Sequence, residues 1–488
     1  SIALASSVTS RAPSSARREQ VIDLGILGSA FLLPGSVWLE SPGESPVIAG
    51  PVIQPQPDSL RCGVDLSSAA EGFWNLIVQN PDSQRVVFSS FDVDSSAWGH
   101  ETLSNQCQEV WYPCIDVDAA GRPREVWACG TDDFRLYYRL EGGAEEPVAD
   151  LARDAWLATQ PDGTDDVFWS LQSGGQIYHR QRDPDGAWGT SHPVSQYNGE
   201  APRGMADPVS GHRHCAWVDH RGGSPQIYCT HRYDVGPIPP AERVSAGTRA
   251  CWQPTVALGP DGDLHVAWVE DFGSGNTEIQ YRRWDRETEG WQTIQRLTYD
   301  PEDSFQPSLA VDPGGKAHLV WSSGESDTAQ VFYTWTEGEA WSGQRISLTS
   351  FLRAPASCKY AQIDADARGN LHVAWEGDGD VYYAGRFAGE WLYERLTTHG
   401  QGVWWPMVAA GPESNADLVW LDWRSGWDQM FRRSRLERPR PRLDAVNPTW
   451  VTGFGTQDFT ASGTQFYEPA VLELVRSDQN PLIGRTLL

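Results

Sequence analysis

Two short segments share a spacing that could do chemistry. Trp217-Val-Asp-His-Arg221 and Trp420-Leu-Asp-Trp-Arg424 both read Trp-x-Asp-x-Arg, and Trp268-Val-Glu-Asp keeps the acid. A carboxylate, a guanidinium and an aromatic plane gathered in loops can hold a polar ligand such as a sugar, because the ring covers an apolar face while the charged groups bond hydroxyls. The candidate ligand-binding residues are therefore Asp219, Arg221, Glu270, Asp271, Asp422, Trp423 and Arg424. The same residues have a structural reading, in which the Asp caps the loop backbone and the Arg pairs with a neighbouring element.

Other reactive residue types point away from catalysis and metal chemistry. His265, His318 and His372 each stand three residues before a Trp. Recurrence at one repeat position suits packing better than coordination. No Cys-x-x-Cys pair and no Asp-x-Asp-x-Asp-Gly loop occurs, so neither zinc nor calcium is expected, and no cofactor is. Of the eight cysteines, Cys114 and Cys129 flank a turn at Gly121, and Cys215 and Cys229 flank Arg221-Gly-Gly-Ser224. Each pair is expected to sit opposite across a hairpin and to form a disulfide, which places the protein outside the cytoplasm. Cys62, Cys107, Cys251 and Cys358 cannot be paired from sequence.

The elements that must position these residues are repeats. Trp74, Trp127, Trp169, Trp217, Trp268, Trp321, Trp375 and Trp420 each end an apolar run that follows a Gly turn and an earlier strand, as in Pro254 to Trp268 and Pro307 to Trp321. A polar loop, an aromatic strand, a second Trp turn (Trp98, Trp188, Trp291, Trp341, Trp391) and a short run complete four strands. One such sheet cannot bury both faces, so the copies must stack radially. The expected fold is all-β: an eight-bladed propeller, with seven blades and one aberrant copy as the alternative. An open stack of β-sandwiches is the other arrangement, but the copies lack the Cys-Trp-Cys spacing of immunoglobulin domains.

The copy at Trp420 lacks a fourth strand, and Val47 to Gln54 is the expected N-terminal strand that closes the ring. That places an extended arm at residues 1–45, a propeller at 46–437 and a separate unit at 438–488. The apolar run Val21 to Leu39 has no place in the repeat and reads as a donor strand, supplied within the chain or to the next subunit. Head-to-tail donation would build a filament.

Two resemblances add to this. Asp183-Pro-Asp-Gly-Ala-Trp188 keeps the Asp-to-Trp spacing of an Asp box, and residues 46 to 436 resemble the sialidase-like propellers in general layout. The resemblance implies a structural role for that turn. A sialidase-type site would need an arginine cluster and a Tyr–Glu pair, and no Phe-Arg-Ile-Pro-like segment marks one, so no catalytic residue is nominated. Leu443-Asp-Ala-Val-Asn-Pro-Thr, followed by Phe459 to Phe466 and Val471 to Val475, resembles the start of an IPT/TIG immunoglobulin-like domain. This implies an incomplete C-terminal Ig-like β-sandwich.

A formal charge of −27 opposes nucleic acid and anionic lipid. Val21 to Leu39, the most apolar stretch, carries Asp23, three glycines and Pro34, which excludes a membrane helix. The opening Ser-Ile-Ala-Leu-Ala-Ser-Ser reads as the end left by removal of an export signal, or as an arbitrary boundary. The expected function is a non-catalytic extracellular or cell-surface structural protein that self-associates through its terminal β segments. The alternatives are a carbohydrate-binding propeller with a glycan ligand and, after it, a sialidase-like glycoside hydrolase.

Overall fold

The computed structural model describes residues 7–435 with short interruptions, of which 348–356 is the longest. Beyond 435 it describes only Arg442–Asn447, Thr460–Thr464, Glu473–Leu474 and Leu482–Ile483. The chain is all-β, and the one helical element among the described residues is the 3-10 turn Pro412–Ser414. No described helix is long and apolar enough to cross a membrane.

From residue 110 to 435, seven antiparallel sheets follow one another, each built on one marker Trp. Their first strands are Val110–Val117, Ala152–Thr159, Gly199–Ala206, Cys251–Leu258, Ser304–Val311, Cys358–Ala365 and Val403–Ala410, and they define blades 1 to 7. Each first strand touches the next, and that of blade 7 touches that of blade 1, so the ring is a closed propeller.

Local chemistry explains the blade. In the first turn an Asp side chain replaces missing backbone partners: Asp312 Oδ1 accepts the N–H groups of Gly314 and Lys316, both at 2.9 Å. Gly315 supplies the positive φ, 80°, that the turn requires. The marker tryptophans are buried, and Trp127, Trp169, Trp321, Trp375 and Trp420 stack on the facing aromatic of the third strand, as Trp375 does on Tyr382 with ring centroids 5.8 Å apart. Fourth-strand Ser and Thr hydroxyls accept third-strand amides, as Ser245 does from Ile227 and Thr298 from Ile279. Third-strand arginines then reach the preceding blade, with Arg282 donating to the Val244 carbonyl at 3.0 Å.

Blade closure differs from expectation. The fourth strand of blade 7 is Thr102–Leu103, paired with Arg432 and Phe431. Just before it, Trp98 meets Tyr383 of blade 6 edge-on at 5.0 Å. Trp188, Trp341 and Trp391 make the same contact with Tyr138, Tyr281 and Tyr333 of their preceding blades. Trp98 therefore occupies the turn position of blade 7. The expected closing strand, Val47 to Gln54, lies elsewhere: Val47–Ile48 pairs with Leu39 and Trp38.

The copy around Trp74 is not a blade. Its strands Gly72–Gln79 and Arg85–Asp94 join Ser36–Glu40, Val47–Ile48 and Ser15–Arg17 in one sheet. A second sheet contains Gln20–Ser29, Ser59–Asp65 and Ile53–Gln56, with Ser7–Ala12 alongside. The two share one core of Leu24, Ile26, Leu39, Val64, Trp74, Leu76 and neighbours, which makes residues 7–94 a sandwich spanning the boundary expected at residue 45. The apolar run expected as a donor strand is a strand of this sandwich. Gln20–Ser29 pairs with Ser59–Asp65 on one edge, and on the other with Ser7–Ala12 and with Glu394 and Tyr393 of blade 6. Its partners lie within the same chain.

Neither expected disulfide forms. Cys114, Cys215 and Cys229 are free, buried thiols, and Cys62, Cys251 and Cys358 are buried too. The reason is strand parity. Cys114 faces Val126 rather than Cys129, and Cys215 is offset by one residue from Cys229, so each pair points to opposite faces of its blade. Cys215 packs with Phe168 and Trp217, Cys229 with Val256 and Trp268.

The C-terminal unit, Leu436–Leu488, shows two strand pairs: Arg442–Asn447 with Thr460–Thr464, and Glu473–Leu474 with Leu482–Ile483. The rest of the expected Ig-like sandwich lies outside the described residues.

Candidate functional site

Each first strand carries one extra residue in the left-handed backbone region. These are Tyr112, Asp154, Ala201, Gln253, Gln306, Tyr360 and Trp405, with φ between 46° and 57°. At each the pairing with the second strand slips, which marks a β-bulge. Left-handed geometry costs a non-glycine residue on the order of 1 kcal/mol or more. Holding it seven times in register concentrates strain around one place. That place is the mouth of the central channel, where these residues line a cavity of about 350 Å³.

The bulges solve a problem that the ring creates. A first strand has no partner on its inner edge, so its inward amides would be orphaned. Side chains of the preceding blade accept them instead. Gln306 N–H donates to Gln253 Oε1 at 2.8 Å, and Tyr360 N–H to Gln306 Oε1 at 2.9 Å. Deeper in the channel Leu309 N–H donates to Thr255 Oγ1, and Ile363 N–H to Ser308 Oγ. Deeper still Thr159 N–H donates to Asp116 Oδ2 at 2.6 Å, and Ala410 N–H to Asp364 Oδ2 at 2.8 Å.

With their oxygens committed, the Gln253 and Gln306 amide nitrogens remain as donors at the mouth. One wall is aromatic: Tyr112 stacks on Trp405 at 5.8 Å, and Tyr360 meets Trp405 edge-on at 6.1 Å. Burial pushes the Tyr112 and Tyr360 phenols up, so both stay neutral donors. Opposite lie Asp154, which accepts from Ser170 Oγ at 2.7 Å, and Arg203. The Arg203 guanidinium lies over Trp156 at 4.5 Å, and burial pushes its pKa down. The mouth thus offers flat rings, neutral donors, one carboxylate and one guanidinium, a set suited to a polyhydroxylated ring.

None of the seven residues expected from sequence lines this cavity. Asp219 is fully buried, caps Arg221 N–H at 2.9 Å, and binds the Arg221 guanidinium with both oxygens. Arg221 lies between the rings of Tyr197 and Tyr228. Asp422 and Arg424 repeat that pairing in blade 7, with Arg424 over Phe431. Glu270 sits 3.6 Å from Arg249, and Asp271 caps Gly273 N–H at 2.7 Å. Trp423 is exposed. The Nδ1 atoms of His265, His318 and His372 lie within 2.9 Å of tyrosine hydroxyls in the adjacent strand, and burial brings His265 and His318 down to about 4. Among the described residues no group of three or more His, Cys, Asp or Glu side chains could hold a metal ion.

The bulge residues went unnoticed in sequence although they carry a signal. Each stands fifteen positions before its marker Trp, sixteen in blade 3, and five of the seven precede a proline.

No family model and no curated protein matches this chain. Solved structures similar to it include the polysaccharide lyase Uly1, at 10% identity and TM-score 0.48, covering 69% of this chain and 99% of that one. An α-L-arabinanase of Penicillium chrysogenum, complexed with arabinobiose, matches at 12% identity and TM-score 0.43, covering 69% and 98%. The Hadza microbial sialidase Hz136 matches at 12% identity and TM-score 0.40, covering 89% and 99%. Likenesses at this level assign no activity.

Proposed function

We propose that this protein is a carbohydrate-binding propeller that takes a sugar residue into its channel mouth. The observation that carries the reading is the mouth itself: seven strained bulges present Tyr112, Tyr360 and Trp405 beside the amides of Gln253 and Gln306. Aromatic faces cover the C–H side of a pyranose, and neutral donors bond its hydroxyls with little desolvation cost. Binding is favoured over hydrolysis because glycoside hydrolysis generally uses two carboxylates about 5–9.5 Å apart, whereas the cavity lining contains one, Asp154. What favours this reading over the filament first expected is that Gln20–Ser29, part of the expected donor, pairs with strands of its own chain.

A glycan array with the purified chain tests this, with Trp405→Ala as control. The reading holds if glycans are retained by the wild type and lost in the variant. It fails if no glycan is retained, or if retention is indifferent to Trp405.

A further inference from the structure

The channel mouth opens on the face formed by loops that enter each first strand and leave each second strand. Large exposed apolar side chains of the described propeller cluster there. Leu151, Tyr197, Tyr299, Trp404 and Trp423 lie on this face, and only Ile238 lies on the other. Tyr197 and Tyr299 already carry an arginine over the ring, Arg221 at 4.4 Å and Arg296 at 4.3 Å. Trp404 and Trp423 have neither a ring nor a cation partner among the described residues, and they are 44% and 56% exposed.

These two indoles belong to the same end of blade 7 as the cavity-lining Trp405. Trp405 lines the cavity, while Trp404, its neighbour in the chain, is absent from the lining and exposed. Gly402 lies between the rim residues: its carbonyl accepts Trp423 N–H at 3.2 Å, and a Cβ on it would sit 3.7 Å from the Trp404 ring. With no side chain at Gly402, nothing from that residue stands between the two rings. Trp404 and Trp405 stand at the start of the first strand of blade 7, and Trp423 follows the end of its second strand. Uncovered indoles at successive positions beside a polar cavity suit a ligand that repeats its apolar face.

We infer that the protein binds an extended, neutral glycan chain, with one residue in the channel and the following residues stacked on Trp404 and Trp423. This rests on the sugar-binding reading of the channel. The formal charge of −27 selects against acidic chains, whose approach it would oppose.

The test is affinity electrophoresis of the full chain through gels containing neutral polysaccharides (xylan, arabinan, β-glucan) or acidic ones (pectate, alginate). Calorimetry with the monosaccharide unit of whichever chain retards it completes the measurement. A neutral chain should retard the wild type. Trp404→Ala/Trp423→Ala should weaken polysaccharide binding at least 10-fold while leaving monosaccharide binding unchanged, and Trp405→Ala should abolish both. Equal polysaccharide affinity in the double variant, or equal loss for both ligands, overturns the rim track and leaves the channel reading standing. Retardation by acidic chains alone overturns the neutral class. A wild type retarded by none of them overturns the channel reading together with this one.

Discussion

Replacing Asp116 by Asn should stabilise the propeller, and more so as pH rises. Asp116 lies deep in the channel, where burial, and after it the charge of Asp364, raises its pKa from 3.8 to about 7. In the unfolded chain it ionises near 3.8. Between those values the unfolded state releases a proton that the folded state keeps, so the group's contribution is fully present below 3.8 and is lost as pH climbs through 7. The gap of about 3 pH units, at about 1.4 kcal/mol each, is worth about 4 kcal/mol at pH 8. It is a ceiling, since solvent entering the channel would screen part of it. Asn cannot ionise, yet its Oδ1 can still accept the Thr159 N–H that Asp116 now accepts at 2.6 Å. The variant should therefore gain up to about 4 kcal/mol at pH 8 and less than about 1 kcal/mol at pH 4. Denaturant midpoints at the two pH values measure this. A gain independent of pH, or a loss at pH 8, would refute the assignment of a protonated channel carboxyl.

Three further expectations follow from the same geometry. Trp98→Ala should cost about 3–5 kcal/mol, the usual range for a buried Trp, because Trp98 is 5% exposed and closes blade 7 against Tyr383. Trp188→Ala, the equivalent change in blade 2, is the comparison, and a cost under about 1 kcal/mol at Trp98 would show that the ring is closed elsewhere. Cys114, Cys215 and Cys229 should resist alkylation in the folded protein and react once it is unfolded without reductant, since burial pushes the Cys114 thiol up to about 12 and raises the Cys215 and Cys229 thiols as well. A Cys215–Cys229 cross-linked peptide in non-reducing mass spectrometry would contradict the parity argument. Gln306→Ala should cost roughly 1–3 kcal/mol by orphaning the Tyr360 amide, and should weaken glycan binding together with stability; an unchanged melting temperature counts against the inner-edge capping.

The repeat was legible because its causes are local. Period-2 alternation, Asp-initiated Gly turns and one Trp per copy all follow from residues within about twenty positions of each other, so strand order within a blade could be read directly. Blade membership could not. The Trp74 copy has the right pattern, but its strands Gly72–Gln79 and Arg85–Asp94 pair with Ser36–Glu40 and Ser15–Arg17, and pattern alone does not say which sheet a strand joins. The closing segment was nevertheless written in the chain. Ala97-Trp-Gly-His-Glu-Thr-Leu-Ser-Asn-Gln106 parallels Ala187-Trp-Gly-Thr-Ser-His-Pro-Val-Ser-Gln196 at the turn and fourth strand of blade 2.

The sequence by itself determined an all-β chain of Trp-marked four-stranded copies that must stack to bury their faces, because apolar periodicity and turn chemistry act over short distances. Only the tertiary structure decided that seven copies close the ring while an eighth enters a sandwich. It also decided that the cysteine pairs face apart and that the conspicuous Asp–Arg pairs brace loops. The channel mouth is the clearest case. Its residues come from seven strands that are distant in the chain, and they converge because a closed ring leaves every inner edge unpaired and bends each first strand at the same place.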